Sequence, residues 1–134
     1  MGSKFKYHKD GSKPDSDDIF CFGSNLSGIH GAGAARAAYD NYGAKFGVGI
    51  GFFGDSYAIP TKDFVIDSMD ISIIRHHVEI FKKITHTCSD MKFFVTRIGC
   101  QLAGYSNADI APMFKGCNPD NCSFAEEWQE YLEG

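Results

Sequence analysis

Two stretches of this 134-residue chain put glycine where the backbone must come close to something. The first reads Gly23-Ser24-Asn25-Leu26-Ser27-Gly28-Ile29-His30-Gly31-Ala32-Gly33-Ala34-Ala35. Gly31 and Gly33 open an alanine-rich segment of high helix propensity. Free N–H groups and the positive end of a helix dipole meet there, an arrangement that suits a phosphate. The second stretch, Gly99-Cys100-Gln101-Leu102-Ala103-Gly104-Tyr105, repeats the pattern. Two such loops at adjacent strand ends would clamp a diphosphate from both sides. Read singly, each loop is equally a tight strand–helix turn with no ligand. Neither is G-x-x-x-x-G-K-[ST] nor a clean G-x-G-x-x-G, so a kinase-type or Rossmann nucleotide site is not indicated.

Few side chains in these loops do chemistry. Asn25 offers a donor and an acceptor to a ribose or a water, or it closes an Asx turn. His30 is the one histidine in either loop, and no Asp or Glu accompanies it. It reads as a general acid/base or phosphate ligand, or else as an exposed loop histidine. Cys100 has no activating partner in sequence and reads as a small apolar filler. Arg97 either reaches the anion or forms a surface ion pair. Cys117 and Cys122 lack a second ligand pair, so no metal site and no cofactor is expected.

The elements that would position these loops follow from periodicity. Lys4–His8 suggests a short edge strand ahead of a polar, turn-rich stretch that ends near residue 17. Asp18–Gly23 (DIFCFG) and Met91–Ile98 (MKFFVTRI) read as buried strands, each running straight into a glycine loop. Ala34–Tyr42 is predicted helical with Gly43 as its stop. Phe46–Phe53 alternates glycine with apolar residues, which implies close backbone approach or bulges. Ser56–Pro60 is a further strand. From Asp70 to Thr87, Ile71, Ile74, Val78, Phe81 and Cys88 form one helical stripe. Ser106 and Asp109 have capping-box spacing before a short helix toward Phe114. The tail, Phe124–Leu132, reads as a helix capped by Ser123, with Phe124, Trp128 and Leu132 on its buried stripe. Strands alternating with helices predict one α/β domain over residues 1–134, with a mixed, mainly parallel sheet covered on both faces. Ligands of such sheets bind beyond the carboxyl ends of the strands, where both loops fall.

Bulk composition narrows the partners. The formal net charge of −4 disfavours general nucleic-acid binding. The five cysteines are odd in number and contain no C-x-x-C pair, which is the pattern of reduced thiols in a cytoplasmic protein. No apolar run approaches the roughly 20 residues of a membrane-spanning helix, so no membrane partner is expected. Nothing in the sequence marks an oligomeric state.

Taken together these residues resemble the macro domain family, the ADP-ribose-binding fold. Phe22-Gly23-Ser24-Asn25 followed by Gly31-Ala32-Gly33-Ala34-Ala35 is similar to that family's Asn-Ala-Ala-Asn element and glycine loop. Ile98 through Tyr105 is similar to its Gly-x-Gly-hydrophobic-x-Gly-aromatic loop, with Gln101 in place of the second glycine. Tyr57-Ala58-Ile59-Pro60 resembles the strand between them. The whole chain is also similar to small phage-type macro-like proteins.

The resemblance implies a three-layer α/β/α sandwich. It also implies a small-molecule ligand containing ADP-ribose, its diphosphate held between Gly31–Ala34 and Gly99–Gly104. Asn25 would face the distal ribose and Tyr105 would pack near it. An aspartate preceding the strand that leads to Asn25, Asp10 or Asp18, would meet the adenine. Family members either bind ADP-ribose or hydrolyse ADP-ribosyl or ADP-ribose-1″-phosphate bonds. The chain departs from the pattern in lacking an acidic residue beside the glycine loop, where Ala34 and Ala35 stand.

Overall fold

Period-two alternation along the strands sorts the apolar side chains onto two faces of one sheet. The computed structural model describes residues 5–100 and 103–133. Its strands are β1 (Lys6–His8), β2 (Asp18–Asn25), β3 (Gly51–Phe53), β4 (Ser56–Lys62), β5 (Lys92–Val95) and β6 (Cys122–Ala125). They lie in the order β1-β6-β5-β2-β4-β3. All neighbours are parallel except β3, which returns antiparallel to β4. The mixed, mostly parallel α/β sheet expected from the sequence is therefore present. Because five strands share a direction, their carboxyl ends open on one edge.

The larger cluster takes Ile19 and Cys21 of β2, Tyr57 and Ile59 of β4, Phe93 and Val95 of β5, and Phe124 of β6. Covering it are the helices α2 (Ile71–Thr87), α3 (Asn107–Ile110) and α4 (Gln129–Glu133), with a 3₁₀ turn at Ala111–Phe114. In α2, Ile74, Val78 and Phe81 are fully buried as the stripe predicts, and the Asp70 carboxylate caps the helix by accepting from Ser72 N at 3.1 Å. The capping box at Ser106 and Asp109 is formed. The opposite cluster takes Phe20, Phe22, Ala58 and Phe94 under α1 (Gly33–Asn41). Among the described residues these make four α-helices. None is long and apolar enough to cross a membrane.

Three expectations about elements change. Met91–Ile98 is a strand only over Lys92–Val95, so β5 stops three residues short of Gly99 and does not run straight into it. The edge strand is shorter than Lys4–His8, and Lys4 lies outside the described residues. The tail is not one helix from Phe124. Cys122–Ala125 forms β6, inserted between β1 and β5, and α4 begins only at Gln129. Phe124, Trp128 and Leu132 are all buried, so the spacing was a burial signal. Pairing with two parallel neighbours decides the conformation of Phe124, because tertiary context overrides local propensity.

Candidate functional site

Gly28 and Gly49 pack backbone directly on backbone. A Cβ on Gly49 would stand 2.0 Å from the carbonyl oxygen of Asn25. One on Gly28, whose φ is +68°, would stand 2.4 Å from Gly47. The alternating glycines of this segment thus let residues 47–49 lie flat against the first loop, as their pattern implied. Ser24 Oγ donates to the carbonyl of Gly49 and fastens the two segments. The loop then enters α1 through Ala32, which has no side-chain cap, and no acidic residue lies in the first turn. Among the described residues, the leading N–H groups of α1 are left without a side-chain partner.

Beyond the carboxyl ends of β1, β2, β4 and β5 these features border one cavity of about 550 Å³. Its wall on one side is Gly31, Ala32, Gly33, Ala34 and Ala35. The other side is Thr96–Gly99 with Ala103. Asn25, Thr61 and Lys62 close one end, and Ile66 stands beside them. The other end is apolar and runs down the sheet beside α1, where Phe20 stacks on Tyr42 at 4.4 Å and His8 on Phe94 at 3.7 Å. A turn of residues 10–13 folds over this end, held by Asp10, whose Oδ2 accepts from Arg97 Nε at 2.9 Å. Lys13, Lys62 and Arg97 give the wall positive charge. A group with a diphosphate near the α1 N-terminus and a planar base at the aromatic end matches this layout.

The predicted residues divide sharply. Asn25, Gly31, Ala32, Gly33, Ala34, Gly99 and Ala103 are brought together around the cavity. Asn25 is also the Asx staple of its own loop. Its Nδ2 donates to Ile29 O at 2.7 Å and its Oδ1 accepts from Ile29 N at 2.9 Å. Gln101 and Leu102 lie outside the described residues.

Four residues stand elsewhere. Tyr105 packs on the larger core and donates to Met69 O, and neither it nor Gly104 lines the cavity. Cys100 donates weakly to Ile98 O and Ser106 O, and burial pushes its thiol up to about 11 against the opposing pull of Arg97. That thiol is a filler and no nucleophile at neutral pH. Asp18 begins β2 at the far end of the sheet, away from the cavity, so Asp10 is the aspartate that reaches it.

His30 is the largest correction. Its ring is fully buried, edge-on to Phe22 at 5.4 Å and beside Phe46 at 5.8 Å, with Nε2 against Lys45 O at 2.8 Å. Nδ1 has no partner. The ring does not line the cavity, because the segment carrying Lys45 and Phe46 folds across it. It is a core residue that anchors the loop.

Sequence reading missed His8, Thr61, Lys62, Lys13 and Ile66 as cavity residues. Ile66 alone carries a marked signal, and only in structure: its φ is +66°, a region β-branched residues avoid. Comparison with family models, with curated proteins and with solved structures finds no match.

Proposed function

We propose that the protein is a macro-type three-layer α/β/α domain that binds an ADP-ribose-containing nucleotide. The observation that carries this reading is the cavity at the carboxyl edge of the sheet. It has an uncapped helix N-terminus and Gly31–Gly33 on one side, Gly99 on the other, and stacked aromatic rings at one end. Backbone amides of α1, with Arg97 and Lys62, hold the diphosphate. Phe20 and the end of the cavity beside Tyr42 take the adenine, and Asn25 with Thr61 faces the distal ribose. Binding is the assigned activity. With His30 buried, the site offers no loop histidine as an acid or base, so any hydrolysis of a bond at the distal ribose falls to a ligand-held water.

Titration calorimetry tests the reading. ADP-ribose should bind, and adenosine, which lacks the diphosphate, should bind at least tenfold more weakly. Gly31→Val is the matched variant, because a Cβ there meets nothing within 4 Å and the side chain can enter the cavity without disturbing the fold. It should abolish ADP-ribose binding with an unchanged circular dichroism spectrum. Equal affinity for adenosine and ADP-ribose, or normal binding by Gly31→Val, overturns the proposal.

A further inference from the structure

Large apolar side chains that remain in water are concentrated at one end of the sheet. β3 is the last strand in the sheet order, paired with β4 on one side and open on the other. On the α1 side of this edge lie Tyr39, Phe46 and Phe53, on the α2 side Phe52, Ile73 and Ile80, and Ile50 leads into the strand. All seven are 39–53% exposed. Tyr39 and Phe46 touch, with ring centroids 4.4 Å apart.

The position of the two isoleucines follows from helix geometry. The middle of α2 sits on the sheet through Phe81, which meets Tyr57 of β4 at 5.1 Å. One flank of α2 is taken up by the segment between β5 and β6: His86 Nε2 meets Gly116 O at 2.8 Å, and Lys82 lies beside Gly116. Ile73 and Ile80 occupy the other flank, about 100° from the buried stripe. That flank looks toward β4 and the open side of β3.

Exposed strand edges are normally blunted by charge, proline or a covering element. Here the edge is bordered on both faces by aromatic and aliphatic side chains, and Lys45 stands 5.4 Å over the Phe53 ring. At about 200 Å² per side chain, the exposed fractions leave on the order of 600 Å² of apolar surface. A stable interface takes about 800 Å² from each partner, so this patch supplies most of one.

We infer that the β3 edge, with the flanks of α1 and α2 beside it, is a two-fold interface with a second copy of this chain. An antiparallel strand laid against its own copy is self-complementary, since a two-fold axis relates the two. An axis through the middle residue, Phe52, continues the sheet from six strands to twice that number. It places α2 beside α2 on one face and α1 beside α1 on the other. None of the seven residues lines the cavity, so this interface is independent of the ligand assigned above.

Sedimentation velocity on the intact protein, from low to high micromolar concentration, tests it. The wild type should sediment at twice the chain mass. Ile73→Glu combined with Ile80→Glu should sediment as a monomer with an unchanged circular dichroism spectrum. Tyr39→Glu, on the opposite face, should do the same and covers the case in which the first variant misfolds. Val65→Glu adds one carboxylate, as Tyr39→Glu does, on the exposed loop that follows β4, outside the seven-residue patch, and should remain a dimer. A monomeric wild type at every concentration overturns the inference. So does a dimer that survives both edge variants or that Val65→Glu disrupts equally.

Discussion

At the scale of single residues, two histidines have roles set by what folds over them. His30 is held by Phe22, Phe46 and the Lys45 carbonyl, so removing its ring opens a void in a packed region. His30→Ala should destabilise the protein by about 2–4 kcal/mol in urea unfolding. An unchanged midpoint would show that the ring is not structural. His8 stacks on Phe94 and shares a hydrogen bond with Ser123 Oγ at 2.7 Å. Burial lowers its pKa to about 4, against an opposing pull from Asp10. In the unfolded chain the ring regains an ordinary pKa of about 6.5. Between those values the unfolded state binds the extra proton, so this contribution to stability is complete above pH of about 6.5 and is lost as pH falls toward about 4. Urea midpoints across that window should fall for the wild type and fall less for His8→Phe. Parallel curves would show that another group governs the acid limb. Neither role was readable from sequence. A histidine in a glycine loop has the same neighbours in the chain whether or not a segment fifteen residues later closes over it.

At the scale of elements, the local signals were strong wherever periodicity and capping agreed. The Asp70 cap and the stripe of Ile74, Val78 and Phe81 specify α2 from its own residues, and the Ser106–Asp109 box specifies α3. The strand-to-glycine-loop passages were legible for the same reason, and they located the cavity edge. β6 was not legible. Four residues are too few to show a two-residue period, while Phe124, Trp128 and Leu132 imitate a helical stripe. The 47–49 segment matters as a brace for the first loop, and glycine is required where the backbones meet. Gly49→Ala should cost about 1–3 kcal/mol of stability, since its Cβ would overlap Asn25 O, which stands 2.0 Å away. Gly31→Ala, in open space, should stay within about 0.5 kcal/mol. Thermal unfolding of the pair checks this, and equal losses would show that the close approach is not rigid.

At the scale of the whole molecule, the α/β class and the mainly parallel sheet were legible because strand and helix patterns alternate along the chain. The cavity was legible only in half. Its glycine walls come from two local motifs, but its aromatic end is assembled from β1, β2, β5 and the turn over them. The Arg97–Asp10 pair joins residues 87 positions apart, and no spacing rule foretells it.

The sheet order carries one more consequence. The sheet neighbour of β1 is β6, and His8 meets Ser123 across 115 residues. On the ribosome β1 emerges without its sheet partner until β6, about 115 residues further on, has been made. The turn of residues 10–13 and the His8 side of the cavity wait with it. The His8 side of the pocket is thus closed only once β6 is present, and a nascent chain that lacks β6 holds both glycine loops with Phe20, Tyr42 and Phe94 but without the His8 stack that completes the chamber.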